Sequence, residues 1–524
     1  MTKLSRSFIL GSSILALAAC GPDEIASPGT GGNITINNPP ATPAPTPTPT
    51  SAMVTPANGC PTISDAQGLT DEGTITGPEG QWRVCATPLR FNTSSTLPQI
   101  PGLLYRLPGE VNVGTDGGAA PDASDGRSDT NVTLTIEPGV IVYASGSSFL
   151  NVTRGNAINA VGTQSQPIVF TSRDNILGLN SNDSSGQWGG IVLSGRAQVT
   201  DCVAPGATPG TVGCERQVEG AVSPSFFGGA TNTDSSGTMR FVQIRYSGFV
   251  LSGDNELQSL TTGGIGSGTI LSDIQSVNSS DDGVEFFGGV VNIKRLIVAG
   301  AEDDSIDTDT GVKANMQFVI AAQRNGVGDA IIEADSSNGL EDQTPRQNTT
   351  IANATFIQRR TGDQVVRIRG GADYGLYNTL VWDASTGGTP CLRIDGQETI
   401  RAANAGLDDV GGPRFNSVAF QCATNFRNGS DGVTLAQAEG FVDAGAGNNK
   451  AYLNTLVSGY LGGTNETNFG TIFNVTSLGS FFEANTFIGA VSPANNWTQG
   501  WTCDSSAVSF GNNTGACTSI PVFN

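Results

Sequence analysis

Two stretches of the chain, LSDIQSVNSSDDGVEFFGG at 271–289 and IKRLIVAGAEDDSIDTDTG at 293–311, superpose at an offset of 22 residues. The superposition sets Asp281 over Asp303, Asp282 over Asp304 and Glu285 over Asp307. Carboxylates stacked this way hold hard cations through oxygen, or divide acid and base work between them. Two bare charges about 5 Å apart repel by roughly 3 kcal/mol at an effective dielectric of about 20. Three such pairs need a cation, an arginine or a raised pKa to be tolerated. Four readings compete: a solvated acidic turn, a structural Ca²⁺ site, a site for an extended glycan, and a catalytic site. If a metal is held, an all-oxygen set suits Ca²⁺ rather than zinc or copper. Strict strand alternation would send Asp281 and Asp282 to opposite faces, so only part of the set should converge. A further step of 22 lands on Asn325 and Gly326, where the charge should fade.

Composition narrows the chemistry further. The chain has 524 residues and no histidine, which removes Ser-His-Asp triads, Cys-His pairs and His-ligated zinc or haem. Forty-seven acids against 26 bases give a net charge of −21, which argues against nucleic acid as a partner and favours cations. No haem, nucleotide or zinc is expected; Gly264-Ile265-Gly266-Ser267-Gly268 opens no helix and reads as coil turns.

The acidic columns need elements that repeat with them. Leu271 falls on Ile293, Ile274 on Leu296, Val277 on Ala299 and Val284 on Ile306, and a third copy starts at Met316. In it, Phe318 should continue the Ile274 and Leu296 column, and Ile331-Ile332 should resume the second strand. Looser copies flank these at 239–248, 350–360 and 365–385. Short β runs broken by Gly, Asn and Asp, at a period in the low twenties, are coils of a solenoid. The fold class is therefore all-β: a parallel β-helix of about 22-residue coils with caps at both ends. Trp188, Trp382, Trp497 and Trp501 read as core or cap residues rather than as platforms for sugars.

The N-terminus, MTKLSRSFILGSSILALAAC, has Lys3 and Arg6 ahead of a short apolar stretch and reads as a signal peptide. Its ending, Leu17-Ala18-Ala19-Cys20, resembles a bacterial lipobox, which implies a lipidated Cys20. ATPAPTPTPT at 41–50 lies within an extended tether. The eight other cysteines fall into close couples, so nearest-neighbour disulfides are preferred: Cys60 with Cys85, Cys202 with Cys214, Cys391 with Cys422 and Cys503 with Cys517.

The run NVTLTIEPGVIVYASGSSFLNVTRGNAINAVGTQSQPIVFTS at 131–172 is followed by GQWGGIVLSGRA at 186–197, SSDDGVEFFGG at 279–289 and FIGAVSPANNWTQGWT at 487–502. Together they resemble a mostly uncharacterised family of Gram-negative surface lipoproteins with right-handed parallel β-helices. The resemblance implies a signal peptide at 1–19, a lipidated Cys20 and tether at 20–58, an N-terminal cap at 59–130, the β-helix at 131–490 and a C-terminal cap at 491–524. It also implies lipid anchoring in the outer membrane, exposed at the surface. The role expected is a non-catalytic binding module whose partner is an extracellular glycan or a surface protein; the alternative is a Ca²⁺-dependent polysaccharide lyase of β-helix type. Pectate lyases are such β-helices, with carboxylates around Ca²⁺ and an arginine as base, and Arg245, Arg295 and Arg324 are placed to be nearby. The Gly-His-Gly element of polygalacturonase-like hydrolases has no counterpart here, and Arg367-Ile368-Arg369 is a weak echo of their Arg-Ile-Lys.

Overall fold

A computed structural model describes residues 53–122, 124–218, 225–250, 256–336, 339–511 and 513–523. The signal peptide at 1–19, Cys20 and the tether up to residue 52 lie outside the described residues. Each coil is a long bent strand followed by a short one. Ile270–Val277, Val290–Ala299, Lys313–Ala322 and Asn348–Gln358 are long strands; Val284–Phe287, Ile306–Asp309, Ile332–Ala334, Val366–Ile368 and Leu392–Ile394 are short ones. Long pairs with long and short with short, in parallel, so two sheets share one apolar interior. The result is an all-β parallel β-helix.

Register follows the repeat and then departs from it. Leu271 pairs with Ile293, Ile274 with Leu296 and Val284 with Ile306, at the step read from the sequence. Next, Ile293 pairs with Met316 and Leu296 with Val319, so the Ile274 column continues through Val319 and not Phe318. Phe318 instead occupies the bend of its long strand. Phe241, Asp273, Arg295, Phe318, Asn353 and Asn378 all stand at such bends with φ between 49° and 63°. Asn and Asp tolerate this left-handed backbone, whereas Phe and Arg rarely adopt it. Inside, Val284, Ile306, Ile332, Val366 and Leu392 stack as one buried column.

Both expected caps are placed differently. Coil strands begin well before residue 131: Gly80–Ala86 pairs in parallel with Leu103–Arg106, and Glu110–Val113 with Phe149–Val152. What covers the first edge is the exposed strand Thr70–Gly77, antiparallel to Gly80–Ala86. At the other end, helix Leu435–Ala444 sits on strand Arg414–Asn416 and buries Ala438 and Val442 in the core. The last stretch of chain runs back along the long strands as a strap. Asn378 donates to the Phe473 carbonyl at 3.0 Å, Gln317 and Glu483 exchange two bonds of 2.8 Å, and Gln275 and Cys503 exchange two of 2.9 Å. Arg245 donates to the Cys517 carbonyl at 2.9 Å and Gln99 to that of Phe523 at 3.3 Å. Residues 491–511 and 513–523 therefore line a side of the solenoid, where Gln275, Arg245 and Gln99 bind their backbone.

Four disulfides join Cys60 to Cys85, Cys202 to Cys214, Cys391 to Cys422 and Cys503 to Cys517, across separations of 25, 12, 31 and 14 residues. They fasten the N-terminal segment, an insertion, the last coils and the strap.

Candidate functional site

The turns leading from long to short strands carry Asp281-Asp282 and Asp303-Asp304, while Glu285 and Asp307 occupy the second, outward position of the short strands. These turns are not extended strand, so alternation does not separate adjacent aspartates. Gly283 lets the first turn lie flat: a Cβ there would stand 2.1 Å from Val298 Cγ1 and 2.7 Å from the Ser305 carbonyl oxygen. Carboxylate oxygens converge within 4.8 Å in three groups: Asp281, Asp282 and Asp303; Asp282, Glu285 and Asp307; Asp303, Asp304 and Asp329. All six acids singled out from the repeat are in these groups, and Asp329 is added.

The charge does not fade in the third coil, because the step there is longer than 22. Ile306 pairs with Ile332 and Asp307 with Glu333, so Asp329 follows Asp303 while Asn325 and Gly326 sit in an exposed turn before it. One column then reads Glu285, Asp307, Glu333, Arg367, Arg393. Beside it run Asp309, Asp335, Arg369 and Asp395, two residues on along each short strand. Acid meets base in the middle of this face: Arg367 lies 2.8 Å from Glu333 and 2.9 Å from Asp395, and Arg369 lies 2.6 Å from Asp335. Arg360 pairs with Asp329 at 3.2 Å. Arg245, Arg295 and Arg324 do not take part. Arg245 is buried against Gln243 and the strap, Arg295 pairs with Asp273, and Arg324 pairs with Glu302.

Part of each carboxylate does structural work. Asp282 accepts the Asp304 N–H at 2.8 Å, and Asp304 accepts the Ala330 N–H at 2.6 Å, so each aspartate fixes the turn of the next coil through Oδ1. Gln258 donates to Asp281 at 3.1 Å. Burial raises the pKa of Asp282 well above the usual range, and the charges of Asp281, Glu285, Asp304 and Asp307 add to it. Burial likewise raises Asp304, with Glu333 and Asp303 contributing, and Asp307, with Glu333 and Asp304 contributing. Burial pushes Asp335 up to about 6 against the pull of Arg369. A cluster held this way is short of positive charge, and its all-oxygen donor set fits Ca²⁺.

The residues missed at the sequence level, Asp329, Glu333, Asp335 and Arg393 among them, had a signal. VEFF, IDTD, IEAD, VRIR and LRID cover successive short strands, the last three with the residue that follows the strand, and each carries a charged residue at its second position and, from IDTD on, at its fourth. Period-2 alternation at unequal spacing marks the face where a fixed offset does not.

No curated protein and no solved structure matches the chain. The family described as pectate-lyase like beta helix domain matches residues 127–502, which contain every acid and arginine of this face. That span is well over half of the sequence, and the chain belongs to the pectate-lyase-like beta helix domain family.

Proposed function

We propose that the chain is a Ca²⁺-dependent polysaccharide lyase of β-helix type, acting on an acidic polysaccharide laid across the short-strand sheet. The observation that carries this reading is the acidic ladder of three coils continuing, on the same face, into the arginines of the next two. Coils stack about 4.8 Å apart, close to the length of one pyranose unit, so a chain lying along the ladder can present successive sugars to successive coils. Ca²⁺ would be held by Asp281, Asp282, Glu285, Asp303, Asp304 and Asp307, and it would supply charge to bridge them to a uronate carboxylate. Arg367, Arg369 and Arg393 hold further carboxylates of the substrate. In a lyase step a base removes the proton beside the uronate carboxylate. The electron pair forms a C=C bond, and the glycosidic oxygen leaves on the neighbouring sugar and takes up a proton.

One observation favours a second reading, binding without cleavage. Burial works against the Arg367 charge, but its bonds with Asp395 and Glu333 more than offset this and hold its pKa above the ordinary arginine value. Arg367 is thus a fixed cation and a poor base. Assays on polygalacturonate and alginate, with Ca²⁺ or chelator, separate the two. Ca²⁺-dependent unsaturated products, lost in Asp303→Asn, support the lyase. Ca²⁺-dependent binding without products selects the binding module. A protein with no calorimetric heat for Ca²⁺ and no affinity for either polymer overturns both.

We also propose that Cys20 is lipidated and anchors the chain at the outer-membrane surface, with the tether holding the β-helix clear of lipid. The support is the Leu17-Ala18-Ala19-Cys20 ending. Among the described residues no helix is long and apolar enough to cross a membrane.

A further inference from the structure

A cavity of about 280 Å³ opens between the bends of the long strands and the strap, away from the acidic ladder. Its solenoid wall is made by Arg240, Phe241, Asp273, Arg295 and Phe318, and the strap contributes Trp497. Four of these, Phe241, Asp273, Arg295 and Phe318, are consecutive bend residues at positive φ. Two phenylalanines and an arginine in that backbone region are costly, and residues held so tend to mark functional sites. The bend is the place from which a side chain enters this cavity. Trp497 is half-buried, whereas Trp188 and Trp501 are fully buried in the way expected of packing residues.

The charges of the cavity are uneven. Arg295 holds Asp273, which is itself buried. Glu483, on the strap, pairs with Lys294. Arg240 reaches Asp273 only at 3.4 Å, its side chain is 49% exposed, and its guanidinium carbon lies 5.0 Å from the centre of the Phe241 ring. In the lining Arg240 and Arg295 are matched in number by Asp273 and Glu483, and with Lys294 taking up Glu483 from outside it, Arg240 is the guanidinium left with only a long contact, beside aromatic rings. Gln164 and Asn495 add amides at the rim. Aromatic faces cover the C–H face of a pyranose, planar amides bond its hydroxyls, and a guanidinium pairs with an oxyanion.

We propose that this cleft binds a single pyranose carrying one anionic group, a carboxylate or a sulfate ester. It shares no residue with the acidic ladder and needs no metal, so it is a second carbohydrate site that stands or falls independently of the proposed lyase face. The volume fits one sugar ring and not a polymer strand.

Trp497 provides the readout. Tryptophan fluorescence and calorimetry of the protein in chelator, titrated with glucuronate, glucose 6-sulfate and glucose, test the site without Ca²⁺ on the other face. One or both anionic sugars should saturate and bind at least about tenfold more tightly than glucose, the equivalent of about 1.4 kcal/mol; which of them does so identifies the anionic group. Arg240→Gln should remove that preference while Arg295 keeps Asp273 paired. Asn495→Asp, which puts a negative charge at the exposed rim, should weaken the anionic sugars more than glucose and so narrow the preference, which keeps the test open if Arg240→Gln folds poorly. Equal affinity for glucose, no saturable response to any of the three, or an unchanged preference in folded Arg240→Gln or Asn495→Asp overturns the proposal.

Discussion

Asp282 and Asp304 each give one oxygen to the backbone of the following coil and keep the other for the cluster. The same side chains therefore shape the turns and store the repulsion that a cation would relieve. Their raised pKa sets the sign of the pH response. With Asp282, Asp304, Asp307 and Asp335 all above the ordinary aspartate value of 3.8, the folded chain holds more protons than the unfolded chain above that pH. Stability from these groups is present at acid pH and is lost as pH rises through their folded values, for Asp335 near 6. In chelator, the melting temperature should fall by at least about 2 °C between about pH 4 and 7, and Ca²⁺ should reverse the fall. Asp304→Asn keeps an oxygen for the Ala330 N–H and removes a charge. It should raise the neutral-pH melting temperature in chelator and blunt the response to Ca²⁺. Scanning calorimetry at several pH values reads both; a pH-independent melt would show that the cluster is relaxed by solvent.

At the scale of strands, what holds the ladder in register is the apolar column beneath it. Ile306 is fully buried between Val284 and Ile332. Ile306→Ala leaves a cavity that stacked neighbours on both sides cannot close, so it should cost about 2–5 kcal/mol in denaturant melts. It should also weaken Ca²⁺ binding, because Asp307 is its neighbour in the chain. The coil between Leu271 and Gly289 and the next one were legible because no residue is inserted between them. The third was displaced by the longer turn before Ile332, and the fourth by the longer step from Ile332 to Val366, which together hid Glu333 and Arg367 from a fixed offset. The strap left no periodic trace at all, since it docks through side-chain amides on backbone and not through strand pairing. Trp497 and Trp501, expected as core or cap residues, belong to this strap.

At the scale of the whole molecule, the net charge of −21 is distributed around a face that passes from acid to base along the solenoid axis. A polyanion approaching it is repelled by most of the surface and admitted at the arginines and at any bound cation. The proposed anchor belongs to this scale too. Cys20→Ala should abolish fatty-acid labelling and release the protein from membranes; a variant that still takes up label and sediments with the outer membrane would overturn the lipoprotein reading.

The strap has a consequence for the order in which the molecule is made. Most solenoids are nearest-neighbour chains, and their coils can lock in as each one is completed. Here Gln99, Asn175, Arg245 and Gln275, early or midway in the chain, are hydrogen-bonded by residues beyond 500. The first coils to emerge therefore wait for the last segment to arrive. Until it does, the flank with Trp82, Ile141 and Val169, against which Ile520 packs, is open to water and to other chains. The segment works as a closing seam: a nascent chain stays adhesive along that flank until its far end has been made, and it is shielded once the seam is laid.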